Sequence, residues 1–354
     1  MREYISFDVH NHYTFVEREE IETGNVRHCR VAHSSGAIVS YLKSDPPEKG
    51  TAVAVEATRN WYWIINEIEQ AGMKPLLVHP YKAKVMMGCI NKTDKLDVHG
   101  MNRLQRTGTL PTVWIAPAKI RDLRELPRGR MFFTRQRTQL KNRIQAVLAR
   151  EGLQISGFSD IFGKKARLEL DSLVMQLPPL TKDITLDMLE QLDIVCGRIK
   201  LLEERINQIV KQTPSMKRLM TLPGIGLILS VVIALEVGDI GRFPSAERFA
   251  SYAGCTPRVH ASGDKVRYGK LRSDVNRYLK WAFIEAANCV RLHLRHWPIR
   301  HVSLLYKRLA HRKGHSKAVG AVARHLSEAA WHVLSRDKDY IEPVLSRRVS
   351  TTGA

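Results

Sequence analysis

Through the first hundred residues, short runs rich in β-branched and aromatic residues alternate with helical ones. The runs are YISFDVH from Tyr4, VRHCRVAH from Val26, TAVAVEAT from Thr51 and PLLVHP from Pro75, with WYWIINEIEQAG lying between the last two. Apolar runs of this length between turn residues read as strands, and WYWIINEIEQAG reads as a helix. Gly72 ends that helix and Pro75 opens the next strand, as helix-stop chemistry expects. The alternation predicts an α/β domain.

Past Asp97 the texture changes. From about Lys119 to Gly152 the chain is rich in arginine, glutamine and leucine, which favours long helices, and RQRTQLKNRIQAVLAR (135–150) reads as one exposed basic helix. Met188, Leu192, Val195, Ile199, Leu202, Ile206 and Ile209 then recur at alternating spacings of four and three, the pattern of a coiled-coil seam. Such a seam either joins two chains, the reading favoured here, or packs inside one, and Pro214 should stop the helix. A second globular unit begins at LMTLPGIGLILSVVIALEVGDIGRF and runs in helical, basic sequence to about Trp331, and the final stretch ending VSTTGA reads as frayed. The expected organisation is therefore 1–118, 119–214, 215–335 and a tail, 336–354.

Charge narrows the function. Lysine and arginine total 56 against 35 acidic residues, a formal charge of +21, and so basic a chain points to a polyanionic partner, with nucleic acid first. No stretch approaches the roughly 20 apolar residues of a membrane span, and MREYISFDVH has charges where a signal peptide needs an apolar core, so a cytoplasmic protein without membrane contact is expected. Cys29, Cys89, Cys196, Cys255 and Cys289 form no C-x-x-C pair and read as reduced and structural, while His293 and His296 read as solvated or phosphate-facing.

Four carboxylates stand out. Asp8 ends the first strand, Glu56 ends TAVAVEAT, and Asp94 and Asp97 sit three apart in NKTDKLDVHGMNRL, which reads as a helix start and puts both on one face. Any one of them alone is ordinary turn or surface chemistry. As a set, carboxylates from strand ends and one helix would repel one another unless a cation sat among them, and Mg²⁺ prefers carboxylate oxygens plus water.

FDVH, VEAT and KTDKLDVHGMNRL together resemble the Asp-Glu-Asp-Asp motif of the DEDD insertion-sequence transposases, relatives of the Piv invertases, and the resemblance extends over nearly the whole chain. It implies an RNase H-like, RuvC-like α/β domain in which Asp8, Glu56, Asp94 and Asp97 bind Mg²⁺, with Mn²⁺ as a substitute, followed by a coiled-coil segment and a mostly α-helical C-terminal domain.

In that C-terminal domain, LPGIG (Leu222 to Gly226) resembles a helix-hairpin-helix contact, in which Gly224 and Gly226 would let backbone N–H groups approach a phosphate. A tight turn between two packed helices explains the same five residues equally well. Farther on, Gly254, Pro257, Ser262, Gly263 and Gly269 match the family's second domain, where the resemblance implies that Ser262 is a nucleophile leaving a phosphoserine-linked strand. Read without the family, Ser262 is a hydrogen-bonding loop residue, and Ser245, Ser251 and Ser273 are alternatives, the first as a helix N-cap. The chain departs from many relatives at Ser273, Asp274 and Val275, where they have lysine then glycine, so Lys270 or Arg272 would have to supply that phosphate contact. Arg258, Lys265, Arg267, Lys270, Arg272, Arg277 and Lys280 cluster around Ser262 and read as a phosphate-binding surface.

The resemblance implies a transposase that cuts and rejoins donor and target DNA, directed by a structured guide (bridge) RNA and working as a homodimer or higher oligomer in which the two domains meet. Two other readings use the same residues: a junction-resolving nuclease with water as nucleophile, and a non-catalytic nucleic-acid-binding relic.

Overall fold

Alternation along β1 (Glu3–Val9) sends Ile5, Phe7 and Val9 into one apolar layer and turns Ser6 and Asp8 to the other face. In the computed structural model, which describes residues 2–88, 93–209, 213–263 and 265–343, this strand lies within a six-stranded sheet. The other strands are β2 (Tyr13–Glu20), β3 (Val26–Ala32), β4 (Ala52–Glu56), β5 (Lys74–Val78) and β6 (Thr112–Val113), in the order β3-β2-β1-β4-β5-β6. β1, β4 and β5 run parallel, whereas β2 and β6 run against their neighbours.

Parallel strands need cover on both faces, and helices supply it here. α1 (Ala37–Ser44) and α2 (Trp61–Gln70) bury Ile38, Leu42, Ile64, Ile65 and Ile68 with Phe7, Val53 and Val55. A short α3 (Pro80–Met87) leads to α4 (Asp94–Arg106), which covers the opposite face by setting Val98, Met101 and Leu104 against Phe15, Ala54 and Val78. The Ser6 hydroxyl donates to the Val98 carbonyl at 2.8 Å and fixes that helix on the sheet.

Strand β2 escapes the hydrophobic pattern because YTFVEREE is half charged, yet Glu17, Arg18 and Glu19 are all buried. Arg18 makes two bonds of 2.6 Å to the Glu3 carboxylate on β1, so the charges are matched before they are covered.

The chain divides into two compact units between Ala116 and Pro117. The second unit is mostly helical: α5 (Ala118–Arg150), α6 (Arg167–Val174), α7 (Pro179–Ile209), α8 (Pro214–Leu219), α9 (Leu227–Val237), α10 (Ala246–Tyr252), α11 (Arg277–Leu292), α12 (His301–Lys313) and α13 (His315–Arg336). Its one described sheet is a hairpin of β7 (Pro257–Ser262) and β8 (Lys265–Leu271). The basic run 135–150 is the C-terminal half of α5, and its Ile144, Val147 and Leu148 are buried rather than exposed. Pro214 opens α8, with the Thr213 hydroxyl capping its first turn. Within 337–343, Tyr340 packs against the apolar core and its N–H donates to Thr221 Oγ1 at 2.9 Å, while its neighbours in that segment are exposed.

The heptad seam is occupied within the chain. Leu189 and Leu192 pack on Ile144, Val147 and Leu148 at one end, and Ile206 packs near Leu123 and Leu126 at the other, which makes α5 and α7 an antiparallel pair. Leu192, Val195, Ile199 and Ile206 are each at most 7% exposed, so these residues belong to an internal seam and not to a surface open to a second chain. The Ile209 side chain and Cys89 lie outside the described residues. Ile206→Lys should therefore unfold the second unit, at a cost of roughly 3–5 kcal/mol for a buried unpaired charge. Thermal denaturation followed by far-UV circular dichroism checks this, and a fully folded variant of lower mass would instead restore the intermolecular seam.

Candidate active site

The first candidate centre lies where β1 and β4 end. The pairing Phe7↔Val55 brings Asp8 and Glu56 level on adjacent parallel strands, and both share the parity of Ser6 and Ala54, which face α4. Thr93 caps α4 by accepting the Leu96 N–H at 3.3 Å, and Asp94 and Asp97 stand in the first turn, where carboxylates complement the helix dipole. They continue the stripe of Val98 and Met101, and of the four carboxylates Asp8 and Asp94 come together directly, while Glu56 and Asp97 are placed by register and helix position on the elements that carry them. Lys92 of the signature lies outside the described residues.

Two residues not singled out from sequence join this centre. His10 Nε2 lies 3.2 Å from Asp8 Oδ2 and 3.4 Å from Asp94 Oδ2, and Asn60 Nδ2 donates to the His10 carbonyl at 3.0 Å. The Tyr13 hydroxyl donates to Asp94 Oδ2 at 3.0 Å, a bond that, with partial desolvation, raises the phenol above its ordinary pKa. Arg30 lies over the Tyr13 ring and 4.0 Å from Asp94. The signal for His10 was present in FDVH, because residues two apart on a strand share a face, but a histidine after a strand is too common to stand out alone.

Ligand atoms of Asp8, His10 and Asp94 lie within 4.8 Å of one another. His10 Nε2 is buried and finds no hydrogen-bond partner of acceptable geometry, although two carboxylates flank it. An unpartnered ring nitrogen between two carboxylate oxygens is a donor set that fits a divalent cation.

The second candidate centre is the β7–β8 hairpin. Ser262 pairs with Lys265 across a two-residue connection that begins with Gly263 at φ +55°, while Asp264 lies outside the described residues. Ser262 thus ends a strand and is not in a loose loop. Nearly every hairpin residue is exposed on both faces, including Val259, Val266 and Tyr268. A two-stranded ribbon without a covered face is marginal alone, so this one is held at its base.

At that base, Gly254 has φ +69°, and a Cβ there would lie 2.4 Å from Val275 Cγ2. Lys280 Nζ donates to the Arg272 carbonyl at 2.7 Å, and Arg272 pairs with Asp274 at 2.6 Å, which holds that carboxyl down at about 2. Val275 is thus a packing residue and Arg272 and Lys280 are partly structural, which leaves Arg258, Lys265, Arg267 and Lys270 as the exposed cations of the ribbon. Asn276 caps α11 and also donates to Glu236 Oε2 at 2.9 Å, a buried carboxylate that Arg128 holds from α5.

The serine alternatives have structural partners. Ser245 caps α10 by accepting the Arg248 N–H, Ser251 Oγ accepts from Arg272 and Ser273 Oγ from Arg258. No hydrogen bond holds the exposed Ser262 hydroxyl among the described residues.

LPGIG serves packing first. Gly224 has φ +78°, and a Cβ on it would sit 2.3 Å from the Ala286 carbonyl oxygen of α11. Beside this turn an open depression of about 410 Å³ is lined by His293, Trp297 and Arg300.

Comparison with known proteins accounts for both units. Residues 8–151 match the DEDD transposase family of IS110, and residues 216–302 match the Transposase IS116/IS110/IS902 family. A protein of Pseudomonas aeruginosa described as a probable family 20 transposase is 25% identical over 320 residues, covering 88% of this chain and 91% of its own length. The transposase for insertion sequence element IS1111A of Coxiella burnetii is 24% identical over 303 residues, 85% of this chain and 82% of its own. The insertion element IS110 43.6 kDa protein of Streptomyces coelicolor is 34% identical over 112 residues, 31% of this chain and 28% of its own. With an α/β first unit bearing the four carboxylates and a helical second unit bearing the serine hairpin, the chain belongs to the IS110/IS116 family of DEDD transposases.

Proposed function

We propose that this transposase cuts and rejoins DNA with Ser262 as nucleophile and with Asp8, Glu56, Asp94 and Asp97 holding Mg²⁺ or Mn²⁺. The observation that carries the metal reading is the convergence of Asp8 and Asp94, whose ligand atoms lie with one of His10 within 4.8 Å of one another. Strand order 3-2-1-4-5, with only the second of these strands reversed, supports an RNase H-like fold for the first unit. In this reading 1–118 is the metal-holding domain, 119–214 the helical connector and 215–335 the serine-bearing domain, followed by the tail.

In the proposed step Ser262 Oγ attacks a backbone phosphorus. The Oγ–P bond forms, the P–O bond to the departing strand breaks, and the serine proton ends on the departing oxygen, so the phosphodiester energy is kept for rejoining. The divalent ion would neutralise phosphate charge and stabilise the oxygens gaining charge. Arg258, Lys265, Arg267 and Lys270 on the ribbon would grip the backbone, with Gly263 permitting the tight turn that presents the serine. Arg272, Arg277 and Lys280 would add contacts around it, the last from a side chain that also braces the hairpin, and Gly226 would offer a backbone contact at the separate LPGIG turn.

A guide RNA as a further partner is implied by the family resemblance, and the +21 charge is compatible with it. Self-association as a homodimer or higher oligomer on DNA is part of the proposal. With the α7 seam occupied internally, it must use other surfaces.

Denaturing a reaction of the full chain with RNA and DNA of its own element and Mg²⁺ should release a DNA-linked protein, trapped best on a nicked substrate. Chelation of the metal or Asp97→Asn should prevent it. Free cleaved ends without a linked species would favour water as nucleophile and the junction-nuclease reading.

A further inference from the structure

Strand β2 carries a second acidic pair, facing the same helix as the first. Glu17 and Glu19 are 1% and 6% exposed, and burying two carboxylates side by side is costly unless donors or positive charge meet them. Glu17 is fully met: Asn102 Nδ2 donates to Oε1 at 3.1 Å, His99 Nδ1 lies 3.2 Å from that same oxygen, and His28 Nε2 lies 2.9 Å from Oε2. Glu19 is only half met. Arg106 holds Oε1 at 2.7 Å, while Oε2 is buried and has no hydrogen-bond partner among the described residues.

One carboxylate oxygen each from Glu17 and Glu19 and one ring nitrogen of His99 lie within 4.8 Å of one another. Metal–ligand bonds of about 2.1 Å in a tetrahedron set ligand atoms about 3.4 Å apart. The side chain of His99, half exposed, can supply the contraction, and it leaves an entry path from solvent. A cation among the three would lie against both carboxylates and the imidazole at once.

We propose that Glu17, Glu19 and His99 form a structural site for a divalent transition ion, separate from the Asp8–Asp94 centre. An imidazole ligand suits ions of the Zn²⁺ and Ni²⁺ class. His28, on the other oxygen of Glu17, orients that carboxylate as an outer partner of the ion. The ion would tie β2 to α4 two residues beyond Asp97 and so steady the turn that carries Asp94 and Asp97.

The test uses the full-length Asp8→Asn/Asp94→Asn variant, in which the neighbouring centre is disabled, titrated with Co²⁺ by visible absorption and with Zn²⁺ by calorimetry. One ion per chain should bind and raise Tm. Adding His99→Ala or Glu19→Gln should weaken binding by at least about tenfold, a loss that even an outer partner of a metal site can cause. His99→Ala removes a half-exposed side chain and should fold, as far-UV circular dichroism would verify, so it decides the matter if Glu19→Gln does not fold. Absence of Co²⁺ absorption and Zn²⁺ heat in the double variant, or an equivalent that survives His99→Ala unchanged, overturns the site.

Discussion

Ser262→Ala should abolish the DNA-linked protein while leaving the chain folded and bound to nucleic acid. Removing a nucleophile while its surroundings stay intact costs roughly a thousandfold or more in rate, because the remaining groups have nothing to activate. The hydroxyl is exposed at the end of β7 and braces nothing among the described residues, so stability should move by less than about 0.5 kcal/mol. Nucleic-acid affinity should stay within about twofold, since it rests on the exposed cations of the ribbon and not on one hydroxyl. Ser251→Ala and Ser273→Ala provide the contrast: each releases an arginine, so each should loosen the hairpin base yet still form the adduct. If Ser262→Ala retains the adduct and one of those two loses it, the covalent mechanism stands with a different serine.

Gly224→Ala should cost the second unit about 2–5 kcal/mol. A left-handed backbone penalises any Cβ by about 1–2 kcal/mol, and forcing a carbon against packed neighbours adds about 1–3 kcal/mol. Here the neighbour is the Ala286 carbonyl oxygen at 2.3 Å, a backbone atom inside α11 that cannot swing aside as a side chain would. For a unit of this size the loss corresponds to a fall in Tm of roughly 5–15 °C. Gly263→Ala is the matched comparison, because its φ is +55° but nothing lies within 4 Å of the added carbon, so only about 1 kcal/mol should be lost. Equal Tm changes in the two variants would mean that the LPGIG turn does not depend on its approach to α11, and would return Gly224 to a purely phosphate-facing role.

What the sequence determined by itself is what local rules carry. β-Branched alternation marked β1, β3, β4 and β5, and NKTDKLDVHGMNRL, with Asp94 and Asp97 three apart, marked the start of α4. The spacing of FDVH, VEAT and KTDKLD carried the family, because each fragment pairs an element end with an acid. Tertiary structure decided the remainder, and in each case the reason is a partner far away in the chain. Strand β2 reads as polar, and Glu3, Asp45, His28, His99, Asn102 and Arg106 make its charges buriable. His10 acquires meaning only when Asp8 and Asp94, 86 residues apart in sequence, arrive on either side of its ring nitrogen. The heptads of α7 are the same whether the facing helix belongs to another chain or to this one, since a hydrophobic stripe specifies a partner's surface but not its identity; it was α5, folded back antiparallel, that filled the seam.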